Sequence, residues 1–190
     1  MSKKKGGIFL LWIIAFGALG LSGYMFFKNE LIGSSGGTSP DSGLTLVGLW
    51  DDLATNKEYA PYTTDNDWLI EFNNNQFNNS NYISVDNNNT RFKLLKEGFY
   101  KITLLLLLAN LDADAIYWVQ IMRNNTFDQY LARVAISANP SSSYHLIESS
   151  LYIKSTGLDN FIIRCYCIGD TSYTIANDDD FNQLSIEYNK

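Results

Sequence analysis

The sequence predicts an all-β sandwich that follows a single N-terminal transmembrane helix. Three observations lead to this fold class. From Leu44 onward, short apolar runs alternate with polar residues and are interrupted about every 8 to 12 residues by Asn, Asp, Gly or Ser, a spacing typical of sandwiches and barrels. Residues 8–27 carry no charge, and a Gly/Ser-rich segment separates them from the alternating region. The 190-residue chain therefore contains one ordinary domain and an N-terminal appendage.

The appendage is predicted to be a membrane anchor. Residues 1–7 form a basic tail, and residues 8–27 are long enough as a helix to cross about 30 Å of hydrocarbon. Lysines are concentrated before the span, which predicts that the tail lies in the cytoplasm or the interior of a particle and the C-terminal domain outside. The alternative is a cleaved signal peptide. The predicted anchor residues, with aromatic groups near both ends and glycines that permit close helix approach, are Ile8, Trp12, Gly17, Gly20, Gly23, Tyr24 and Phe27.

Residues 28–43 are predicted to be a flexible linker, because the stretch GSSGGTSPDSG at 33–43 is dominated by Gly and Ser. Residues 44–190 are then the β-sandwich domain. A domain of this length can bury roughly 70% of its extended-chain surface. Cys165 and Cys167 are two residues apart in an apolar run, so both are predicted to be buried thiols on one face of a strand rather than a disulfide.

The charge of the domain excludes one class of partner. From Leu44 onward the chain has 10 basic and 18 acidic residues, and no basic stripe is present that could follow a phosphate backbone. Nucleic acid is therefore not an expected ligand.

Ten strands are predicted in the domain from their alternation and from the turn-forming residues between them. The Asn-rich stretches 73–75, 78–79 and 87–89 are predicted to be turns, since Asn bonds locally and tolerates positive φ. The predicted strands are 44–50, 68–72, 82–85, 91–95, 99–109, 115–123, 129–137, 143–153, 160–168 and 183–188.

The strand at 99–109, FYKITLLLLLA, is unusual because both of its faces are apolar in its second half. It is too short to cross a membrane, and Gly98 together with the alternation of its neighbours favours a strand over a buried helix. One row, from Tyr100 to Leu108, should face the core. The other row contains Phe99, Leu105 and Leu107, which are predicted to contact another subunit. The alternative is an intramolecular cover by a loop from residues 51–67.

Residues 82–190 resemble the TNF-like jelly-roll superfamily, which includes the complement-type globular heads. The motifs that carry the resemblance are RFKLL at 91–95, Gly-Phe-Tyr at 98–100 before KITLLLLL, IYWVQIMRNNT at 116–126, the strand pair at 149–167 and FNQLSIEY at 181–188. The sequence departs from the family pattern at Asn125, where the turn has Gly, and at Leu158, which displaces Asp159. The resemblance implies a jelly roll that forms a trimer around an apolar axis, often with an N-terminal membrane anchor or stalk.

Two functions follow from this resemblance. The absence of a predicted disulfide, the Asn-rich domain and the lack of a collagen-like Gly-X-Y stalk favour a minor capsid, vertex or spike component of a membrane-containing virus. Its expected partners are its own copies, other capsid or surface proteins, and the virion membrane. The alternative is a TNF-like trimeric ligand or adhesin at a cell surface, which would bind a protein or glycan receptor.

No catalytic motif is present in the sequence. His145 is the single histidine, and it is flanked by Tyr144 and Leu146 in a predicted strand, so a surface position is expected rather than a catalytic one. The protein is therefore predicted not to be an enzyme and to need no cofactor. Ca²⁺ is one possible exception: the acidic cluster Asp178, Asp179 and Asp180 offers the oxygen ligands that this ion prefers, and so does Asp112 with Asp114. The alternative is that these are solvated loop tips.

Overall fold

A computed structural model describes residues 43–137, 143–178 and 180–189. The predicted tail, membrane helix and all but the last residue of the linker lie outside these ranges. Within them, no helix is long and apolar enough to cross a membrane. The strands are β1 (Leu44–Asn56), β2 (Asp67–Asn78), β3 (Ile83–Asp86), β4 (Arg91–Leu94), β5 (Glu97–Ala109), β6 (Ile116–Arg123), β7 (Thr126–Ala135), β8 (His145–Thr156), β9 (Asn160–Ile168), β10 (Thr174–Ile175) and β11 (Gln183–Asn189).

The strands form two antiparallel layers. The first sheet has the order β2-β1-β11-β5-β8, and the short strand β10 pairs with the end of β5 beyond β11. The second sheet has the order β3-β4-β9-β6-β7. The first three residues of β2, Asp67–Leu69, pair with β9 and connect the two sheets. All ten predicted strands are present, and β10 was not predicted.

The core lies between the two sheets, where alternate residues of each strand meet. On β5 the row Tyr100, Ile102, Leu104, Leu106 and Leu108 is fully buried, as the alternation predicted. Cys165 and Cys167 on β9 belong to the same core and are free thiols. The prediction that both are buried and do not form a disulfide is confirmed. Burial raises the pKa of Cys167 to about 11, so this thiol stays protonated near neutral pH.

The Asn-rich stretches have two different structures. Asn87, Asn88 and Asn89 form a turn with φ of 56°, 48° and 58°, in agreement with the prediction. The prediction for residues 73–75 and 78 is wrong, since β2 continues through them to Asn78. Pairing with β1 decides this: Asn74 lies opposite Asp51 and Asn78 opposite Gly48, so backbone hydrogen bonding outweighs the turn preference of asparagine.

Two buried aspartates fasten loops at the ends of the sandwich. Asp159 accepts hydrogen bonds from the backbone N and the Oγ1 of Thr156, both at 2.9 Å, and from Asn124 Nδ2 at 3.2 Å. Asp170 accepts the hydroxyl of Tyr117 at 2.5 Å and the backbone N of Ser172 at 2.6 Å. Burial raises the pKa of both carboxyls, but these hydrogen bonds outweigh burial and hold both pKa values below the usual range.

Acid is therefore expected to destabilise the domain through these two residues. A carboxyl whose pKa is lower in the folded state stabilises the fold above its unfolded pKa of about 4, and this contribution is lost as the pH falls through the folded value. The free energy of unfolding, measured by urea titration from pH 7 down to pH 2, should decrease below about pH 4. Asp170→Asn should cost about 1–3 kcal/mol at pH 7 and flatten the decrease. An unchanged pH profile in this variant would contradict the assignment.

Candidate subunit interface

We call the side of the first sheet that is turned away from the core the outer face. β5 places Phe99, Leu105 and Leu107 on it; Phe99 is 50% exposed and the two leucines are half-buried. The strands on either side add further apolar side chains in register with β5. The apolar residues of the outer face are Leu44, Leu46, Leu49, Phe77, Phe99, Leu105, Leu107, Leu146 and Tyr152.

Rows of directly opposed residues show how polarity varies across the outer face. Leu107 of β5 lies opposite Leu146 of β8, and Phe99 lies opposite Asn189 of β11, which is itself opposite Leu44. Towards the middle of β5, Thr103 lies between Ser185 of β11 and Ser150 of β8, and at the other end Phe99 also has Lys154 of β8 beside it. The outer face is therefore apolar around Leu107 and Leu146 and mixed elsewhere.

One ion pair lies on this face. Lys101 Nζ is 3.3 Å from Glu187 Oε2, and the two side chains are directly opposed on β5 and β11. Tyr152 of β8 lies on the other side of Lys101. Both charged side chains keep about 30% of their surface exposed, so solvent screens the pair and its net contribution to stability is small in the isolated subunit.

The alternative cover for the second row of β5, a loop from residues 51–67, does not lie over that row. Residues 51–56 belong to β1, and the loop that follows packs on the second sheet instead. There Tyr62 joins Leu69, Met122 and Ile162 in a small separate cluster. The interpretation of residues 51–67 as a cover for the outer row of β5 is therefore wrong, because the apolar side chains of this loop pack on the second sheet.

Arg164 of β9 fixes the position of this loop. Its Nε and Nη2 each lie 2.6 Å from a carboxylate oxygen of Asp67, in a bidentate pair, and its guanidinium is 5.4 Å from the ring centroid of Tyr62. A charge-assisted pair of this geometry is one of the stronger polar contacts in a protein. Because Asp67 begins β2 directly after the loop, the pair holds the end of the loop at the second sheet.

Several residues of the outer face were not found from the sequence. Leu44, Leu46 and Leu49 lie on a predicted strand, but a register irregularity between Leu46 and Gly48 brings Leu49 onto the same face as the other two. Leu146 and Tyr152 join the face because β8 pairs with β5 over twelve residues of each strand. Their alternation was visible in the sequence, whereas their position beside β5 was not.

Of the residues predicted to bind Ca²⁺, Asp112 and Asp114 are exposed in the loop between β5 and β6, and Asp178 and Asp180 lie in the segment between β10 and β11. Asp178 Oδ1 accepts the backbone N of Asp180 at 3.2 Å, and the backbone carbonyl of Asp178 accepts Asn182 Nδ2 at 2.8 Å. Asp179 lies outside the described ranges. In the part of the chain that the structure describes, no group of three or more His, Cys, Asp or Glu residues is placed to hold a metal ion. Calcium binding stays a prediction.

His145 begins β8, where it is exposed and lies opposite Leu108 of β5. The predicted surface position of this residue is confirmed.

Solved structures share the fold of this domain. A crystal structure of murine APRIL at pH 8.0, a TNF-family jelly roll, matches with a TM-score of 0.51 and 8% sequence identity, over 74% of this chain and 98% of the other. A second structure of murine APRIL, at pH 5.0, matches with a TM-score of 0.50 and 9% identity, over 76% and 99%. No protein-family model and no curated protein matches the sequence. The predicted TNF-like jelly-roll fold is confirmed, and at these identities the likeness concerns the fold alone.

Proposed function

We propose that this protein is a TNF-like jelly-roll ligand or adhesin that works as a homo-oligomer, with the outer face as the contact between its copies. The observation that carries the proposal is the group of apolar side chains on the outer face: Leu105 and Leu107 are half-buried, and Phe99 and Leu146 are exposed. Sheets in sandwiches usually present polar residues on the side turned away from the core. Large apolar side chains gathered on that side indicate that a partner covers them.

The size and composition of the outer face support a subunit contact. Five strands about 4.8 Å apart and the length of β5 between Phe99 and Leu107 give a surface of roughly 20 by 27 Å. A specific interface buries at least about 500 Å² on each partner, so a face of this size reaches the lower end of that range. Fully burying one leucine or phenylalanine side chain contributes about 1.5–3 kcal/mol. The Lys101–Glu187 pair in the middle of the face would set the orientation of the partner more than the affinity.

A trimer is the proposed stoichiometry, and a membrane anchor at residues 8–27 is the proposed attachment, with the domain outside. Both rest on the sequence: the trimer on the family resemblance, the anchor on the uncharged N-terminal span. The receptor class stays open between protein and glycan. No described feature favours a virion component over a ligand or adhesin, so the capsid, vertex or spike interpretation is not carried into this proposal.

Assembly is tested by the mass of the full-length chain in a mild detergent. Sedimentation equilibrium should give three times the chain mass of 21.5 kDa after correction for bound detergent. A monomer at every concentration would contradict assembly.

Receptor binding is tested separately with labelled protein on cells and on a glycan array, where we expect saturable binding that unlabelled protein displaces. Binding that does not saturate on either would reject the ligand or adhesin role and leave the oligomer unaffected.

A further inference from the structure

β7, the edge strand of the second sheet, turns three large side chains away from the core: Phe127, Tyr130 and Arg133. In a regular strand every second residue would share a face, whereas these three are spaced three apart. Two register irregularities against β6 cause the change, because Leu131 and Asp128 are each an extra residue without an opposite partner. Leu131 is thereby directed into the core, and the other three side chains, called here the β7 strip, lie on one surface.

The aromatic part of the β7 strip is open to solvent. Phe127 is 46% exposed and Tyr130 is 54% exposed, and their ring centroids are 4.7 Å apart with the planes inclined at 53°. At this inclination the rings are not stacked, so each keeps a face that the other does not cover. Large apolar groups gathered on a surface are typical of binding sites, and a tyrosine also brings a polar hydroxyl to the water.

Arg133 differs from two other arginines of the second sheet because it has no carboxylate partner among the residues described. Arg123 Nη2 lies 3.3 Å from Asp128 Oδ2, and Arg164 forms the bidentate pair described above. Arg133 is exposed, and its guanidinium carbon lies 5.9 Å from the ring centroid of Trp118 on β6. A guanidinium that stacks on an aromatic ring keeps its N–H edge free for a carboxylate. The strip therefore joins apolar ring surface to a cation without a counter-ion.

We propose that the β7 strip binds a saccharide that ends in a carboxylate-bearing sugar, a sialic or a uronic acid. The guanidinium of Arg133 and the sugar carboxylate match as a pair with two parallel hydrogen bonds. The C–H groups of the sugar ring are weakly positive, and they pack on the negative face of an aromatic ring, which Tyr130 and Phe127 supply. This inference rests on the ligand or adhesin role proposed above, and it names an acidic glycan as the receptor class.

The size of the β7 strip favours a saccharide over an acidic protein segment. Phe127 to Arg133 lie opposite Met122 to Trp118 of β6, which is about 14 Å along the sheet, and two strands are about 10 Å wide. This area of roughly 140 Å² is well below the 500 Å² or so that a specific protein interface buries on each partner. On so open a surface, one sugar should bind weakly. Several copies of the strip in one oligomer would compensate by binding several sugars at once.

Two pairs of matched probes test the requirement for a carboxylate. The full-length chain in a mild detergent is titrated with sialyllactose and with lactose, and separately with cellobiouronic acid and with cellobiose, and saturation-transfer NMR follows the binding. At least one acidic probe should bind about tenfold more tightly than its neutral counterpart, because the pair with Arg133 is lost in the neutral sugar. The two titrations also distinguish a sialic from a uronic acid.

Four variants of the full-length chain test the residues. Arg133→Gln should lower the affinity for the acidic probe about tenfold, to that of the neutral one. Lys93→Gln is the matched control, since it removes the same charge from β4 on the same side of the second sheet and should change nothing. Tyr130→Ala should weaken the binding of acidic and neutral probes alike, whereas Tyr130→Phe should retain it because the ring makes the contact. Circular dichroism checks that all four are folded.

Three results would overturn the proposal: no binding of either acidic probe, equal binding of acidic and neutral probes, or an unchanged affinity in Arg133→Gln. A glutamate-rich peptide that binds through Arg133 while the saccharides do not would also overturn it, because the ligand would then be an acidic protein segment.

Failure of this site and failure of the proposed function are distinguishable. Arg133→Gln should leave the mass of the oligomer unchanged, and Leu107→Lys should dissociate the oligomer without altering the affinity for a single saccharide. Saturable binding to cells by a protein that binds neither acidic probe would reject the glycan and leave the ligand role standing.

Discussion

Leu106→Lys is expected to abolish folding. Leu106 is 0% exposed and lies in the middle of β5, which pairs with β11 on one side and β8 on the other. Removing a buried leucine side chain costs about 2–5 kcal/mol, and an unpaired ammonium in the core adds several more. Domains of this size are stable by about 5–15 kcal/mol, so the sum approaches or exceeds the whole free energy of unfolding.

The measurement is the far-UV circular dichroism spectrum and the urea midpoint of the variant, with Leu106→Met as the matched control. Methionine has a similar volume and no charge, so the control should lose less than about 1.5 kcal/mol and keep its β-sheet spectrum. A Leu106→Lys protein with the wild-type midpoint would show that the inner row of β5 has been assigned to the wrong side.

Leu107→Lys should leave the domain folded and dissociate the oligomer. The side chain points to the outer face beside Leu146, where a lysine can extend its charge to water in the isolated subunit. In the assembled protein the same ammonium would be desolvated against apolar groups. Burying one leucine side chain contributes about 1.5–3 kcal/mol, so we expect subunit affinity to fall by at least about tenfold.

Sedimentation of the variant beside the wild type checks this result, and Ile168→Lys supplies the control. Ile168 is 56% exposed on β9, on the outer side of the second sheet, so the same chemical change there should leave the oligomer intact. If Leu107→Lys sediments as the wild type does, the outer face is not the subunit contact. Together with Leu106→Lys, this pair also tests the alternation of β5, because neighbouring residues of a helix would not separate so cleanly.

The strands of this domain could be predicted because each one carries its own signal. In β5 the side chains from Tyr100 to Leu108 alternate between core and outer face, and this period of two is set by the strand backbone alone. The same reasoning placed Cys165 and Cys167 together in the core. For the candidate interface, it identified Phe99, Leu105 and Leu107 as residues turned away from the core.

Other features could not be predicted, because they depend on which segment lies next to which. Asn73–Asn75 carry a strong local turn preference, yet β1 supplies a pairing partner and extends β2 through them. The loop after β1 contains Tyr62, whose apolar ring could have covered either sheet. Arg164 bonds to Asp67 at the start of β2 and lies 5.4 Å from the ring centroid of Tyr62, so residues far apart in the sequence hold the loop on the second sheet.

The class of fold and, within each strand, the side chains that face the core could be inferred from the residues of that strand. That Leu146 of β8 and Leu44 of β1 lie on the same surface as the leucines of β5, and that the edge at residues 73–78 has no strand beside it within the described chain, follows from the order of the strands in the folded domain. The two kinds of feature differ in the range of the interactions that produce them. Alternation follows from the backbone geometry of consecutive residues, whereas strand order follows from hydrogen bonds between residues such as Leu105 and Gln183, which the chain brings together only when the whole domain folds.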